Sequence, residues 1–191
     1  METVSELDID LFFVQETWLM KSDTSILQEV REYGYEIVTE RKTRTIDKGG
    51  GVAVVYKKSL NCKIIKQDQY PSFDFLTVYL MYDVGKIIFT NLYYPGYSEK
   101  HKHTYSMFLS DLEDLFDNLL SVEGKHMIFG DFNLHVEDEY RPECKSFERI
   151  IQQNNVLQHV RAPTHENGGT LDLFLCGYDS LAVINSVEVT Q

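Results

Sequence analysis

The sequence predicts a layered domain of the α/β (α+β) class, and three observations support this prediction. Short runs rich in valine, isoleucine and phenylalanine alternate with segments whose apolar residues recur every three or four positions. The first pattern is typical of buried strands and the second of surface helices, so we expect sheets inside and helices outside. The 191 residues can bury one full core, and no internal repeat or linker divides them. We therefore expect a single domain over residues 1–191.

The first half of the chain predicts a strand, a helix and then several short strands. The first strand is an apolar run over residues 11–14. A helix follows between Asp23 and Gly34, because one helical face is apolar there and glycine permits a left-handed stop. That face consists of Ile26, Leu27, Val30 and Tyr33. Residues 35–82 are β-rich with turn residues between the strands, which predicts an antiparallel meander. Its segments cover residues 51–56, 62–65 and 73–82.

The second half predicts two more helices between strands. Residues 87–89 form an apolar strand, and the longest helix follows Tyr97. Its apolar residues are spaced three and four apart, so we expect it to cover one face of a sheet. They are Tyr105, Phe108, Leu109, Leu112, Leu115, Phe116 and Leu119. Next come a strand that ends at Asp131 and a helix with an apolar side formed by Phe147, Ile150 and Ile151. The last two strands are predicted over residues 170–176 and 181–189.

Composition and charge limit the function classes. No apolar stretch reaches the roughly 18 residues that cross a bilayer, and the acidic first residues do not resemble a signal peptide. We therefore expect an intracellular protein without a membrane partner. The net charge of −12 argues against broad adhesion to nucleic acid, although basic residues cluster within 41–48 and 100–103. The three cysteines fit no zinc motif and are expected to be free thiols: Cys62, Cys144 and Cys176.

Four apolar runs end on, or enclose, polar residues that can bind a metal ion or a phosphate group. These residues are Glu16, Asn91, Tyr93, Asp131, Asn133 and Asp172. Because strand ends lie side by side in a sheet, residues far apart in the sequence can meet there in one site. Carboxylates gathered at such an edge favour a divalent cation and phosphoester chemistry.

The candidate residues suit different tasks. Glu16 follows the first strand without a turn and can bind a hard cation through oxygen. Asp131 and Asn133 point the same way if the strand continues, and Gly130 permits close backbone approach. Asp131 can then accept a proton from water while Asn133 donates to a phosphate oxygen. Asp172 has apolar neighbours, so we expect it to be partly buried and to need a polar partner.

The tyrosines form a second candidate group. Tyr93 precedes Pro95 and Gly96, which predicts that the strand breaks there and leaves the phenol at the rim of the site. Tyr94 and Tyr97 either stack on a base or pack in the core. Other catalytic motifs are missing from the sequence: the glycines at 49–51 lack a P-loop's Lys-Ser/Thr ending, and there is neither an HExxH zinc motif nor a Gly-x-Ser-x-Gly elbow.

Four segments together resemble the endonuclease/exonuclease/phosphatase superfamily. They are Gln15-Glu16-Thr17-Trp18, Asn91-Leu92-Tyr93-Tyr94-Pro95, Gly130-Asp131-Phe132-Asn133 and Thr170-Leu171-Asp172-Leu173. The resemblance spans nearly the whole chain. Its details, including residues 49–54 and 163–165, look most like the apurinic-type endonuclease domain of non-LTR retrotransposons.

The resemblance implies a fold, an activity and a role for each residue. The fold is a four-layered sandwich of two mainly antiparallel central sheets flanked by helices. The activity is a phosphodiesterase that uses Mg²⁺, with Mn²⁺ as an alternative ion, and that nicks DNA. Glu16 matches the metal ligand, and Tyr93 and Asn133, with Asn91, match phosphate-contacting residues. Asp131 matches the residue that orients or deprotonates water, and Asp172 the carboxylate that supports a catalytic histidine.

The chain departs from the family pattern at both ends. Members begin with a strand that carries an Asn and end with a Ser-Asp-His segment, and the sequence contains neither. We therefore expect a domain truncated at its N- and C-terminal ends, with low activity of residues 1–191 alone. The full-length protein would carry a downstream reverse transcriptase region and act in the nucleus. Two other interpretations stay open: a superfamily phosphatase acting on a small phosphoester or phospholipid headgroup, and a non-catalytic binding remnant.

Overall fold

A computed structural model describes residues 8–19, 23–41, 50–99 and 103–189. Within these residues there are nine strands, three α-helices and one 3₁₀ helix. The strands are β1 (Leu11–Gln15), β2 (Tyr35–Glu40), β3 (Val52–Lys57), β4 (Lys63–Ile65), β5 (Asp74–Tyr82), β6 (Gly85–Tyr93), β7 (Lys125–Asp131), β8 (Val156–Gln158) and β9 (Asp172–Gly177). The α-helices are α1 (Thr24–Glu32), α2 (Tyr105–Leu120) and α3 (Pro142–Gln153), and the 3₁₀ helix is Tyr178–Val183.

The strands form two sheets. The small sheet has the order β1-β3-β2, and both of its strand pairs are antiparallel. The large sheet has the order β4-β5-β6-β7-β9-β8, in which only β6 and β7 are parallel. The expected pair of mainly antiparallel sheets is therefore confirmed.

The two sheets pack face to face, and helices cover their outer faces. Apolar side chains from both sheets fill the space between them: Val52, Val54, Leu76, Val78 and Tyr93. On the opposite face of the small sheet, Val30 of α1 packs near Val55. The opposite face of the large sheet carries the main core, where α2 and α3 bury their apolar sides. The layers are thus α1, small sheet, large sheet, and α2 with α3, which confirms the four-layered sandwich.

The predicted helices form where their patterns indicated. Gly34 ends α1 with a φ of 86°, the left-handed conformation expected of it. Thr104 caps α2, because its hydroxyl accepts a hydrogen bond from the backbone N–H of Met107 at 3.2 Å. The α1 face is less buried than expected, since Ile26 and Tyr33 remain about two-fifths exposed and only Val30 of α1 is fully buried.

Two strand predictions are wrong. The strands between residues 35 and 82 do not form one meander, because β2 and β3 pair in the small sheet whereas β4 and β5 pair in the large one. Residues 181–189 are not a strand either. They contain the end of the 3₁₀ helix and a segment without regular structure. Val183 at the helix end and Ile184 and Val189 in the segment pack on an apolar face of the large sheet. The apolar residues of 181–189 therefore reflect packing against the sheet and not membership of a strand.

Three further expectations concern the surface and the cysteines. Over the described ranges, no helix is long and apolar enough to cross a membrane. Cys62, Cys144 and Cys176 are all free thiols, as expected. Most of the two basic clusters lies outside the described residues, which include only Arg41 and His103 from them.

Candidate active site

The ends of three adjacent strands bring most of the candidate residues together. Strands β6 and β7 are parallel, and their register places Tyr93 beside Asp131. Strand β9 runs antiparallel on the other side of β7, and its register places Asp172 beside Asp131. Three of the predicted site residues therefore line one end of the large sheet, as the strand-end argument predicted.

Asp131 and Asn133 are joined by direct hydrogen bonds. The backbone N–H of Asn133 donates to Asp131 Oδ1 at 2.9 Å, and Asn133 Nδ2 donates to Asp131 Oδ2 at 3.0 Å. The same Nδ2 donates to the carbonyl of Tyr94 at 2.7 Å. Strand β7 ends at Asp131 and Asn133 has a φ of 44°, so the expected continuation of the strand is wrong. A tight turn, rather than strand alternation, places the two side chains together.

The small sheet contributes Glu16 to the same site. β1 ends at Gln15, and Glu16 follows it in the left-handed conformation with a φ of 50°. The hydroxyl of Tyr93 donates a hydrogen bond to Glu16 Oε1. This bond links the end of the small sheet to the end of the large sheet. The candidate site therefore lies where both sheets end.

Asp131 carries an unusual pKa, which is raised to about 7. Burial is the main cause, because removal from water disfavours the charged form of a carboxyl group. The negative charges of Asp172 and Glu16 raise the pKa further, whereas the hydrogen bonds from Asn133 lower it. Asp131 therefore gains and loses a proton near neutral pH, which is the property required of a general base.

The raised pKa predicts a pH dependence of stability. The folded protein binds the Asp131 proton more tightly than the unfolded chain does, so this contribution is fully present below the ordinary carboxyl pKa. It is lost as the pH rises from about 4 to about 7, and the loss amounts to at most about 4 kcal/mol. In urea unfolding with EDTA, the stability of wild type relative to Asp131→Asn should fall over this range. Equal pH slopes for the two proteins would contradict the assignment.

The expected partial burial of Asp172 is wrong. Its side chain is exposed, whereas the next four residues of β9 are buried. The reason is its position, because Asp172 is the first residue of β9 and lies at the end of the sheet rather than within it. Thr164 fixes this strand start, since its hydroxyl accepts hydrogen bonds from the backbone N–H groups of Leu171 and Asp172, both at 3.0 Å. Asp172 is thus available to a ligand at the site.

Asn91 lies in the interior and not at the phosphate-facing surface that its predicted role requires. It is fully buried, and its Nδ2 donates to the carbonyls of Val14 and Ala53, both at 2.9 Å. Its Oδ1 accepts a hydrogen bond from the Gln15 side chain. These contacts tie β6 of the large sheet to β1 and β3 of the small sheet. We therefore propose that Asn91 positions the β1 end that carries Glu16, in place of a direct phosphate contact.

The neighbouring tyrosines separate into core and surface. Tyr94 is fully buried and stacks on Phe108 with 4.1 Å between ring centroids, so it belongs to the core and does not reach a base. Tyr97 is 51% exposed and stacks on Tyr105 at 5.6 Å. Of the two tyrosines proposed to stack on a base, only Tyr97 is exposed.

Sequence reasoning missed a second buried carboxylate beside the site. Asp74 is the first residue of β5 and is only 1% exposed. Its Oδ2 accepts a hydrogen bond from the backbone N–H of Gly51 at 2.9 Å. An aspartate inside the apolar run at 73–80 was the available signal, and it is the same signal that singled out Asp172.

The residues present fit a magnesium ion that is only partly enclosed by protein. Among the residues that the structure describes, no three histidine, cysteine, aspartate or glutamate side chains group closely enough to hold a metal ion by themselves. Mg²⁺ does not need such a group, because it keeps several waters and usually binds one or two carboxylates together with substrate phosphates. Glu16 and Asp172 both act electrostatically on Asp131. A bound cation would relieve this repulsion.

This fold and site define a two-sheet α/β protein in which carboxylates, an amide and a phenol converge where the sheets end. The chain belongs to the Endonuclease/Exonuclease/phosphatase family, whose model matches residues 1–190. This membership confirms the superfamily that the four motifs indicated. Comparison with curated protein sequences gives no match.

Solved structures share the fold at low sequence identity. The endonuclease domain of TRAS1, a telomere-specific non-LTR retrotransposon, has a TM-score of 0.69 at 11% identity, covering 97% of this chain and 80% of that one. A mannosyl-6-phosphatase from Bacteroides thetaiotaomicron has a TM-score of 0.63 at 15% identity, covering 93% and 74%. A Neisseria 3′ phosphatase bound to a product DNA hairpin has a TM-score of 0.59 at 13% identity, covering 93% and 80%. At these identities the likeness establishes the fold alone.

Proposed function

We propose that this protein is a Mg²⁺-dependent phosphodiesterase that nicks DNA. The observation that carries the proposal is the convergence of Glu16, Tyr93, Asp131 and Asn133 where the two sheets end. These residues come from distant parts of the sequence, and hydrogen bonds join them in two pairs. A carboxylate with a near-neutral pKa lies at the centre of the group. Phosphodiester hydrolysis requires such a base together with groups that hold the phosphate.

Asp131 is the proposed general base. Its carboxylate accepts a proton from the attacking water, and the backbone N–H of Asn133 orients it for that task. Both amide hydrogens of Asn133 are already used by Asp131 and Tyr94. Donation to a phosphate oxygen therefore requires one of these bonds to be exchanged when substrate binds. The bond to Asp131 is the longer of the two and is the one we expect to be exchanged.

Glu16 is the proposed magnesium ligand. Its carboxylate oxygens suit a hard cation, and Mn²⁺ can take the same oxygen ligands. When bound, the metal supplies positive charge that neutralises the phosphate and its leaving oxygen. The Tyr93 hydroxyl donates its one hydrogen to Glu16 and so holds this ligand in place, and Tyr93 itself is only 5% exposed. Donation to phosphate requires that bond to be exchanged when substrate binds. Asp172 adds negative charge beside Asp131 and so favours a bound cation.

DNA is the proposed substrate for two reasons. The TRAS1 endonuclease domain superposes on 97% of this chain with a TM-score of 0.69, and the Neisseria phosphatase was solved with DNA. The four motifs also resemble retrotransposon endonucleases in their details. On the same grounds, we propose that the full-length protein carries a reverse transcriptase region and acts in the nucleus.

A small-phosphoester phosphatase is the second candidate. The net charge of −12 disfavours a long polyanion, and the Bacteroides mannosyl-6-phosphatase shares the fold. Nicking of supercoiled plasmid and phosphate release from mannose 6-phosphate, each with Mg²⁺ or EDTA, distinguish the two candidates. Plasmid nicking that EDTA abolishes would support the endonuclease. Phosphate release without nicking would favour the phosphatase, and the absence of both activities in the wild-type chain would indicate a non-catalytic remnant.

Glu16→Gln tests the metal role directly. The substitution keeps the size of the side chain but removes its charge, so the Mg²⁺ concentration for half-maximal nicking should rise by roughly ten- to a hundredfold. Glu113→Gln is the matched control, because Glu113 is exposed on α2 in the outer helix layer. Nicking should be measured across a Mg²⁺ titration for both variants. An unchanged Mg²⁺ requirement in Glu16→Gln would remove Glu16 from the metal site.

A further inference from the structure

We propose that Asp74 is a positioning residue for Glu16. Asp74 is buried beneath the site and takes no part in the chemistry proposed above. It pairs in register with Tyr93, the residue whose hydroxyl binds Glu16. A buried carboxylate needs polar partners, and one partner of Asp74 is the backbone N–H of Gly51, which directly precedes β3 of the small sheet. That contact begins a chain of bonds that leads to Glu16.

The first link holds a glycine turn against the large sheet. Asp74 Oδ2 accepts the backbone N–H of Gly51 at 2.9 Å. Gly50 and Gly51 both have a φ of 92°, a conformation that glycine adopts readily. A Cβ at Gly50 would lie 2.7 Å from Asp74 Oδ2 and 3.7 Å from the Tyr93 ring. A side chain at Gly50 would therefore collide with the Asp74 carboxylate, while the Tyr93 ring lies at ordinary contact distance.

The second link runs from this turn to the metal ligand. The carbonyl of Gly51 accepts the backbone N–H of Thr17 at 3.2 Å, and the carbonyl of Gly50 accepts that of Trp18 at 3.0 Å. Thr17 and Trp18 directly follow Glu16. Asp74 thus holds the glycine turn, and the turn holds Thr17 and Trp18, the two residues that follow Glu16.

Glu16 requires such support because its left-handed conformation is unfavourable for a residue with a Cβ. Asn91 holds the residues before Glu16, through Val14 and Gln15, and Asp74 holds the residues after it through the glycine turn. Both supports come from the large sheet and reach into the small one. Removal of the Asp74 support should leave the fold intact and loosen the segment that carries Glu16.

Hydrogen exchange tests the positioning role without any metal. In Asp74→Ala, the Thr17 and Trp18 amides should exchange about tenfold faster than in wild type, since their bonds to the turn weaken. Asp74→Asn keeps an oxygen that can accept the Gly51 N–H and should remain near wild type. Thr77→Val is the matched control, because Thr77 is equally buried on β5 and its hydroxyl bonds Gln67 and Thr90 instead. Unchanged exchange of Thr17 and Trp18 in Asp74→Ala would overturn the proposal.

Tryptophan fluorescence provides a second readout. Trp18 is the only tryptophan in the chain, and it lies two residues from Glu16. Its acrylamide quenching and anisotropy should change in Asp74→Ala and stay constant in Thr77→Val. If Asp74→Ala does not fold, Asp74→Asn becomes the deciding variant. Exchange of the Thr17 and Trp18 amides and quenching of Trp18 like those of wild type support the hydrogen-bond link. Exchange of these amides as fast as in an unprotected segment contradicts it.

The consequence for metal binding rests on the proposed function. Mg²⁺ affinity, measured by isothermal titration calorimetry, should fall roughly ten- to a hundredfold in Asp74→Ala, as it does when supporting residues around metal ligands are removed. Thr77→Val should bind Mg²⁺ like wild type. No Mg²⁺ binding by wild type would refute the proposed function, while hydrogen exchange would still decide whether Asp74 positions Glu16. Unchanged affinity in a folded Asp74→Ala would overturn the link to the metal.

Discussion

Asp131→Asn is expected to lower the rate of phosphodiester hydrolysis by about a thousandfold relative to the wild-type chain, as loss of a general base typically does. Asparagine has nearly the same shape and can still accept a hydrogen bond from the backbone of Asn133, so the fold should persist. It has no basic oxygen near neutral pH, and it cannot take a proton from water. The measurement is nicking of supercoiled plasmid under single-turnover conditions at saturating Mg²⁺.

Asp117→Asn provides the control for this experiment. Asp117 is exposed on α2, on the outer helix layer away from the sheet ends, and the chemical change is the same. It should keep wild-type activity. A shift in the pH profile adds a second test, because the rate should depend on a group that titrates near pH 7 in wild type. Retention of more than roughly a tenth of the wild-type rate by Asp131→Asn would exclude it as the base.

The sequence was sufficient to predict that several candidate site residues lie at strand ends, because the signals are local. An apolar run followed by a polar residue marks a strand end, and Glu16, Tyr93 and Asp131 all lie at such ends in the structure. The pairing of the strands is not a local property. The parallel contact between β6 and β7, which places Tyr93 beside Asp131, joins segments separated by the whole of α2. The strand-end argument placed these residues at sheet ends but did not say which strands pair.

Asp74 and Asp172 explain why burial could not be predicted as well. Both are aspartates with apolar neighbours, and both are the first residue of a strand. Asp74 is buried because the Gly50–Gly51 turn from the opposite sheet lies on it, whereas Asp172 is exposed at the end of the large sheet. The difference comes from a contact between sheets that no pattern within either segment encodes.

The backbone conformation of Asn133 was also not predicted from the sequence. The spacing of two residues from Asp131 suggested that strand alternation would place both side chains on one face. The chain instead turns after Asp131, and the left-handed Asn133 returns its amide to the Asp131 carboxylate. The two residues were correctly paired for a wrong reason. Asparagine tolerates the left-handed conformation better than most residues, which is a sequence signal for the turn.

Gly130→Ala is expected to destabilise the protein by about 3 kcal/mol or more, which is typical of an overpacked core. A Cβ at Gly130 would lie 1.9 Å from the Leu92 carbonyl oxygen and 2.7 Å from its carbon. These are backbone atoms of the paired strand β6, so no side-chain rotation can relieve the contact. The close approach expected of this glycine from the sequence is therefore confirmed. For a chain of this length, such a loss should lower Tm by roughly 10 °C.

Gly85→Ala separates this clash from the ordinary strain of replacing a left-handed glycine. Gly85 is the first residue of β6 and has a φ of 102°, but a Cβ there meets no atom within 4 Å. Its substitution should cost only about 1 kcal/mol from backbone strain. Because Gly130 directly precedes Asp131, the displacement of β7 should also abolish most hydrolytic activity, while Gly85→Ala keeps it. Equal urea midpoints for the two variants would mean that β6 and β7 can separate easily, and the rigid strand contact that sets Asp131 beside Tyr93 would then be wrong.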